Sequence, residues 1–160
     1  MTNLRIGHGF DVHAFAPGRR LFLCGVEVPH ALGLAGHSDA DVAIHALMDA
    51  ILGALARGDI GEWFPDNDDA YLDISSVKLL EKLLADPEVR RCKIVNCDLC
   101  IMAQKPKLLG YRLAMREKLA SVMNLALDQV SVKFTTTEKL GFVGREEGIA
   151  VSASVLLERE

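Results

Sequence analysis

The sequence predicts an α+β fold, a single domain over residues 1–160 with a mixed β-sheet and helices packed on one face. Three observations support it. Strand-like and helix-like segments follow each other without strict alternation. The chain closes with two strand patterns around a glycine-containing loop, which predicts a terminal hairpin. A long apolar segment with one narrow polar stripe predicts a helix that is buried nearly all round.

In the first part of the chain, the positions of glycines, strand-like patterns and a helix N-cap signal predict the strands and the buried helix. Leu4–Ala14 is typical of a strand, in which Gly7 and Gly9 indicate the close approach of another backbone. Ser38, with Asp41 three residues later, has the spacing of a helix N-cap. We therefore expect the buried helix to begin near residue 39 and to end at Gly58. Two short strands precede it, Leu21–Cys24 and Val26–Pro29.

The second part begins with a polar connection over residues 59–69, and long connections in compact domains are often functional. Apolar periodicity and Pro positions then predict five further elements and a loop. They are a helix Ser75–Ala85, a strand Lys93–Gln104, a helix from Pro106 through Asn124, and strands Gln129–Thr137 and Ile149–Leu157 around the loop 141–148.

The composition excludes several classes of function. A net charge of −4 and a pI near 5.7 argue against nucleic acid as the main ligand. No apolar run approaches the ~18 residues of a membrane span. The first residues carry no apolar signal region, and we interpret the four cysteines as reduced thiols, so we expect a cytoplasmic protein.

Asp11, His13 and His45 are the candidate metal ligands. Asp11 and His13 are two apart on a strand and share a face, while His45 lies between Asp41 and Asp49 on the polar stripe of the buried helix. Buried ionisable groups must be paired, hydrogen-bonded or metal-bound. Two imidazoles and one carboxylate with a fourth position open are typical of catalytic zinc, although they also hold non-haem iron.

Other interpretations of the same residues stay open. Taken singly, Asp11 is an ordinary turn acid, His13 a surface residue and His45 a hydrogen-bonded core histidine. Asp49 is a candidate to orient His45 as a neighbouring carboxylate. Three further residues crowd the region as rival ligands: His37, Asp39 and Asp41.

Three more segments carry groups suited to phosphates or nucleotides. His37-Ser38 at a helix N-terminus favours an anion, besides an ordinary capping role. Thr135–Lys139 brings hydroxyls and the carboxylate of Glu138 beside a glycine loop, where oxygen ligands suit magnesium, although three threonines also simply favour a strand. Ala103–Lys107 is a strand-to-helix turn whose backbone groups can reach a nucleobase edge, or else a plain connection.

Five motifs in this order resemble those of the 2-C-methyl-D-erythritol 2,4-cyclodiphosphate synthase family, and the resemblance covers essentially the whole chain. They are Gly7–His13, His37–Asp41, Asp59–Gly61, Phe64–Asp66 and Thr135–Gly144. The resemblance implies a phosphorus–oxygen lyase of the non-mevalonate isoprenoid pathway. Its members convert 4-diphosphocytidyl-2-C-methyl-D-erythritol 2-phosphate to the 2,4-cyclodiphosphate and CMP, by attack of the 2-phosphate on the β-phosphorus.

The resemblance also implies the site residues. Asp11, His13 and His45 would bind zinc, and Glu138 would bind magnesium or manganese. His37 and Thr136 would stabilise the transition state. The remaining positions match the substrate-binding segments of the family: Ser38, Asp59, Ile60, Gly61, Phe64, Asp66, Asp68, Ala103, Lys107, Leu109, Thr135, Phe142 and Arg145.

By the same resemblance we expect a homotrimer with active sites between subunits, and an isoprenoid-like ligand in a central channel near Arg145 and Glu147. Leu72–Ser76 and Asp86–Glu88 depart from the family pattern, away from the metal motifs. The alternatives are a mononuclear iron oxygenase, a zinc hydrolase that yields the linear diphosphate, and a non-catalytic trimeric metabolite-binding protein.

Overall fold

The computed structural model describes residues 3–65 and 67–159 and shows an α+β fold around a mixed sheet. The strands are β1 Leu4–Ala16, β2 Leu21–Leu23, β3 Val26–Val28, β4 Gly33–Leu34, β5 Cys92–Met102, β6 Val130–Thr135 and β7 Gly148–Arg159. Five of them form one sheet in the order β4-β1-β7-β5-β6, and β2 pairs with β3. Among the described strand pairs, β5 and β6 run parallel and the others are antiparallel.

The helices are α1 Val42–Ala54, α2 Ile60–Trp63, α3 Ser76–Leu84, α4 Pro87–Arg90, α5 Arg112–Met123 and α6 Gly141–Gly144. Short 3-10 turns lie at Asp69–Tyr71, Leu109–Tyr111 and Leu127–Gln129. Helix α1 packs on β1 and β7, α5 packs on β6, and α3 contacts both helices, which builds one helical layer on one face of the sheet. Within the described residues, no helix has the length and apolarity needed to cross a membrane.

Helix α1 is buried nearly all round, as its sequence predicts; among its residues only Asp49 and Gly53 are not buried. The two glycines of β1 make this burial possible. A Cβ at Gly7 would overlap the carbonyl oxygen of Ala50, and one at Gly9 would overlap that of Ala46. Strand and helix therefore approach at backbone distance, and side chains of α1 reach the strand directly.

The N-cap of α1 is Asp41, and the prediction of Ser38 as N-cap is wrong. Oδ1 of Asp41 accepts from the backbone N–H groups of Ala43 (3.2 Å) and Ile44 (3.1 Å). The same buried carboxylate accepts from Cys24 N (3.0 Å) and Gly25 N (2.6 Å), in the turn between β2 and β3. The helix begins later than predicted because a carboxylate that joins two segments fixes its first turn there.

The predicted terminal hairpin is also wrong. Strand β7 lies between β1 and β5, and β6 is at the edge of the sheet beyond β5. Helix α5 provides the crossover that makes β5 and β6 parallel, so the chain must pass over β5 before it forms β7. Helix α5 begins at Arg112 rather than Pro106, since the 3-10 turn at 109–111 comes first.

The face of the sheet opposite the helices is open in the single chain. Along β1 every second side chain points to this face, and these include Ile6 (79% exposed), Phe10 (54%) and Val12 (40%). An exposed apolar row in the middle of a sheet is typical of a surface that another protein chain covers.

Candidate metal centre and active site

Asp11, His13 and His45 converge where β1 passes over α1. Asp11 and His13 are two residues apart on β1 and point to the α1 side, the same side as Gly7 and Gly9. His45 lies in the first turn of α1 and is 8% exposed. The close backbone approach at Gly9 brings the helix near enough for His45 to reach the strand ligands.

The three donor atoms form a compact triangle. Nε2 of His13 lies 2.9 Å from Oδ2 of Asp11, Nδ1 of His45 lies 3.3 Å from the same oxygen, and the two nitrogens are 3.1 Å apart. Ligands bound at ~2.1 Å around a tetrahedral ion are roughly 3.4 Å from one another. Within the described residues this is the one group of three or more His, Cys, Asp and Glu side chains that satisfies the geometric criterion for a metal site.

The carboxylate of Asp11 supports a cation at this position. Its Oδ2 is buried and, among the described residues, has no hydrogen-bond partner of good geometry despite the neighbouring imidazoles. Burial by itself raises the pKa of Asp11, but the interactions with His13 and His45 outweigh burial and lower it well below 3.8. A buried, ionised oxygen whose neighbours form no well-aligned hydrogen bond to it, among the described residues, fits a metal ligand, since burying such an oxygen without full compensation costs free energy.

Neighbouring groups orient both imidazoles. Nδ1 of His13 lies 2.5 Å from the carbonyl oxygen of Ala35 and must donate to it, which leaves Nε2 toward the triangle. Burial has the largest single effect and lowers the pKa of His13, but the interactions with Asp11 and the carbonyl of Ala35, together with the charge of Asp41, outweigh burial and raise the pKa above 6.5. Nε2 of His45 faces away from the triangle, toward Ser76 Oγ (3.0 Å) and Ser38 Oγ (3.2 Å).

The rival ligands are committed elsewhere. Asp41 caps α1, and the carboxylate of Asp39 accepts from the hydroxyl of Ser76. Nε2 of His37 lies 3.0 Å from the backbone oxygen of Asp68. Asp49, a candidate to orient His45, instead accepts from the backbone N–H of Ile60 at 2.8 Å.

A cleft of about 210 Å³ opens beside the triangle. The predicted residues that line it, besides the three ligands, are His37, Ser38, Ile60, Gly61 and Phe64. Its apolar wall includes Met48 of α1 and Leu79 of α3, which the sequence analysis did not assign to the site. The cleft therefore places two polar side chains and the N-terminal turn of α2 around the candidate metal position.

The segment around α2 is held in two ways. Asp59 is the N-cap of α2 and accepts from Glu62 N at 3.2 Å, and Asp49 holds Ile60 N from the buried helix. Asp59 and Asp68 are exposed and do not line the cleft, although the Asp68 backbone contacts His37. Asp66, another predicted substrate contact, lies outside the described residues.

A second group of predicted residues lies elsewhere at the same end of the sheet. The carbonyl of Thr135 accepts from Ala103 N (3.0 Å), and the side chain of Gln104 accepts from Lys139 N (3.2 Å). These bonds join the two predicted nucleotide and diphosphate segments. The predicted residues on them are Ala103, Lys107, Leu109, Thr135, Thr136, Glu138, Phe142 and Arg145.

Glu138 has the exposure expected of a carboxylate that meets a ligand. It is exposed in a left-handed turn (φ 52°), and Oγ1 of Thr136 lies 3.4 Å from its Oε1 and accepts from its backbone N–H at 3.2 Å. One carboxylate with open surroundings fits magnesium, which usually takes one or two protein ligands together with substrate phosphates and water.

The sheet separates the two groups within one chain. Val12 pairs with Ala150, Ala150 with Met102, and Met102 with Thr135, in one row across four strands. Three strand spacings correspond to about 14 Å. The metal triangle and the Thr135–Glu138 segment are therefore separate groups in one chain. We call them the metal half-site and the nucleotide half-site, after the ligands that the sequence predicts for them.

Sequence reasoning missed Ser76 and Arg19, which lie next to the metal half-site on the side away from the triangle. It named Asp39 only as a rival ligand and missed its contact with Ser76. Arg19 donates to the carbonyl of Ser38, and Ser76 joins His45 to Asp39. No local pattern identifies them, because each acts across more than 18 residues of chain, and Ser76 has the sequence appearance of an ordinary helix start.

Comparison with known proteins gives consistent matches. The model of the YgbB family matches residues 4–158. The 2-C-methyl-D-erythritol 2,4-cyclodiphosphate synthase of Desulfitobacterium hafniense is 56% identical over 154 residues, 96% of this chain and 98% of that protein. Among solved structures, the bifunctional IspDF of Campylobacter jejuni has 44% identity and a TM-score of 0.94. The alignment covers all of this chain and 43% of that one. IspF of Plasmodium falciparum in complex with CDP has 32% identity and a TM-score of 0.85. That alignment covers 100% of this chain and 99% of the Plasmodium chain.

Proposed function

The chain belongs to the YgbB family, and from this we propose the reaction, metals and assembly that its two half-sites support. It is a 2-C-methyl-D-erythritol 2,4-cyclodiphosphate synthase of isoprenoid biosynthesis. We assign to it the conversion of 4-diphosphocytidyl-2-C-methyl-D-erythritol 2-phosphate to the 2,4-cyclodiphosphate and CMP, with residues 1–160 as a single catalytic domain. The convergence of His13 and His45 on one buried oxygen of Asp11 carries the proposal.

Asp11, His13 and His45 would hold zinc, and Glu138 would hold magnesium or manganese. The donor sets fit these ions: two nitrogens and one oxygen with an open position for zinc, and a single exposed carboxylate for the harder cation. When bound, the two cations supply charge neutralisation and Lewis-acid polarisation of the diphosphate.

The reaction needs no nucleophile from the protein. An oxygen of the substrate's 2-phosphate forms a bond to the β-phosphorus, and the bond from that phosphorus to the bridging oxygen breaks. The bridging oxygen keeps the electron pair and leaves as part of CMP. The protein has to position the reacting groups and stabilise charge, which dominate phosphoryl transfer.

His37 and Ser38 perform this task in the metal half-site. Both line the cleft, and backbone contacts hold each of them: the carbonyl of Asp68 holds His37, and the N–H of Ala40 bonds to Ser38 Oγ at 3.1 Å. We assign them to contact with the phosphates, together with the hydroxyl of Thr136 from the nucleotide half-site. The turn at Ile60 and Gly61 and the ring of Phe64 would bind the methylerythritol part.

The assembly is the second part of the proposal. About 14 Å separates the half-sites in one chain, too far for one diphosphate to contact both. We assign the chain to a homotrimer in which the metal half-site of one copy faces the nucleotide half-site of its neighbour. The exposed row Ile6, Phe10 and Val12 supports the assembly, because it gives the open sheet face an apolar surface for association.

Two minor assignments complete the proposal. An isoprenoid-like ligand would bind in a central channel near Arg145 and Glu147, which form an ion pair (2.9 Å between Arg145 Nε and Glu147 Oε1). Native mass spectrometry of the assembled protein would detect such a ligand, and its absence after incubation with isoprenoid diphosphates removes the assignment. The cytoplasm is the proposed location, in keeping with four free cysteines.

Identification of the product tests the reaction. The protein is incubated with the cytidylyl substrate, zinc and magnesium, and the products are followed by phosphorus NMR. Cyclic diphosphate with CMP supports the synthase. Linear diphosphate with CMP would indicate a hydrolase, and unchanged substrate with full binding would indicate a metabolite-binding protein. A redox-silent zinc in metal analysis excludes the oxygenase.

A further inference from the structure

The imidazole of His45 has two different surroundings. Its Nδ1 faces Asp11 and His13, whereas its Nε2 points into a buried polar cluster behind the metal half-site. Ser76 in this cluster is fully buried (0% exposed) and lies 3.0 Å from Nε2, and Ser38 is 6% exposed and lies 3.2 Å from it. Neither contact touches the triangle itself.

The direction of the hydrogen bonds follows from Asp39. A carboxylate oxygen only accepts, so the bond between Ser76 Oγ and Asp39 Oδ1 uses the single hydroxyl proton of Ser76. The Asp39 oxygen also accepts from the backbone N–H of Asp41 at 3.2 Å, which fixes its position. Ser76 then offers only lone pairs to Nε2, and Nε2 must carry a proton to bond with it.

The consequence concerns the other ring nitrogen. In a neutral imidazole with the proton on Nε2, Nδ1 has a free lone pair, and this lone pair points at Oδ2 of Asp11 and Nε2 of His13. Ser38 does not impose this choice, since its hydroxyl can donate or accept, and Oγ already accepts from Ala40 N. In this cluster, the hydrogen bond from Ser76 to Asp39 is the one whose donor and acceptor are fixed.

We infer that Ser76 and Asp39 are positioning residues that hold His45 in the tautomer with its proton on Nε2 and its Nδ1 lone pair directed at the cation. The inference rests on the proposed metal centre. Asp39 lies in the loop before α1, His45 on α1 and Ser76 at the start of α3. Hydrogen bonds through Ser76 therefore connect three separate segments to the metal ligand His45. Loss of such an outer partner typically weakens metal binding about 10- to 100-fold.

The sequence offers a matched control for this test. Ser75 and Ser76 are adjacent at the start of α3, but Ser75 makes no side-chain capping bond, while Ser76 contacts His45. Zinc affinity of the purified full-length protein is measured by competition with a chromogenic chelator, for the wild type, Ser76→Ala, Asp39→Asn and Ser75→Ala. Ser76→Ala and Asp39→Asn should bind zinc about 10- to 100-fold more weakly, and Ser75→Ala should match the wild type.

A spectroscopic measurement separates positioning from a general effect on the fold. Long-range ¹H–¹⁵N spectra of the zinc-free protein report which nitrogen of His45 carries the proton. The metal is removed for this measurement because zinc bound to Nδ1 would by itself place the proton on Nε2. The wild type and Ser75→Ala should show Nε2–H. Ser76→Ala should show a weakened or mixed signal, and Ser76→Thr, which restores the hydroxyl, should recover both the tautomer and the affinity.

Wild-type zinc affinity and an unchanged Nε2–H signal in Ser76→Ala would overturn the inference. Equal losses in Ser75→Ala and Ser76→Ala would overturn it too, because the effect would then belong to the helix start. The result is independent of the product test: a hydrolytic product would refute the synthase and leave the zinc and tautomer data standing. A wild-type protein that binds no zinc would refute both.

Discussion

At the scale of single residues, Asp11 supplies the only oxygen of the metal triangle, and that oxygen is buried between the two imidazoles. Asp11→Ala leaves two imidazoles, which are too few for a catalytic zinc site. We expect zinc affinity to fall by more than about 100-fold, beyond the effect of an outer partner, and cyclisation to fall with it. Inductively coupled plasma mass spectrometry and phosphorus NMR on the same sample measure both.

His30→Ala is the matched control, because His30 is partly buried and packs on Phe15 outside the triangle. It should keep its zinc and its activity. Full cyclisation by an Asp11→Ala protein without metal would refute the zinc assignment.

The Asp11–His13 pair also predicts a pH dependence for the metal-free protein. The lowered pKa of Asp11 gives stability that is present above pH ~4 and lost as the pH falls through the folded-state pKa. The raised pKa of His13 gives stability that is complete below pH ~6.5 and lost as the pH rises through its folded-state value. The pair therefore contributes most to the stability of the folded protein between about pH 4 and pH 6.5.

Urea unfolding of the chelator-treated protein at several pH values measures this contribution. The free energy of unfolding should exceed that of Asp11→Asn by on the order of 1 kcal/mol near pH 5.5, and the difference should shrink on both sides. A difference that grows steadily up to pH 9 would contradict the assigned interaction.

The sequence was sufficient to predict the triangle because two periodicities define it. Alternation on a strand puts Asp11 and His13 on one face, and a polar position on an otherwise apolar helix singles out His45. Ser76 escaped this reasoning because its role arises from a contact to His45 across 31 residues. Its neighbours in the chain describe only a helix start.

At the scale of elements, the contact of β1 with α1 depends on glycine. Gly9→Ala would place a Cβ onto the carbonyl of Ala46 and push α1 away from the strand. We expect a loss of about 3 kcal/mol in the free energy of unfolding, typical of a severe case of overpacking, and weaker zinc binding because His45 moves with the helix. Chemical denaturation and chelator competition measure the two effects.

Gly110→Ala provides the comparison, since nothing lies within 4 Å of a Cβ at that position. Its stability should stay within about 0.5 kcal/mol of the wild type. Similar behaviour of the two variants would mean that the strand–helix approach is looser than the structure shows.

Element types were more predictable than their partners and limits. The strand at 4–16 and the buried helix follow from local pattern, but the pairing of β7 with β1 and β5 is a choice among distant strands. The start of α1 was misplaced for a similar reason. Asp41 caps the helix while it also holds Cys24 and Gly25, and the sequence near Ser38 shows nothing of that second task.

At the scale of the whole molecule, the separation of the half-sites predicts complementation between inactive chains. His45→Ala damages only the metal half-site and Glu138→Gln only the nucleotide half-site. When both are produced together in equal amounts, a site between copies has both intact halves in about one quarter of cases under random assembly of a closed ring. Cyclisation should recover to about that fraction of the wild-type rate.

The two variants purified separately and assayed together without exchange of subunits are the control, and they should stay inactive. A co-produced protein without activity, at normal oligomeric size and zinc content, would indicate that each chain completes its own site.

The distance of about 14 Å between the half-sites also predicts how the activity depends on protein concentration. In the proposed assembly an isolated copy carries both half-sites but has no complete active site, so we expect the turnover per chain to depend on the protein concentration. Below the concentration at which copies associate, the specific rate should fall away although each molecule remains folded and keeps its zinc. The concentration of such a protein would therefore set the activity of each molecule as well as the number of molecules.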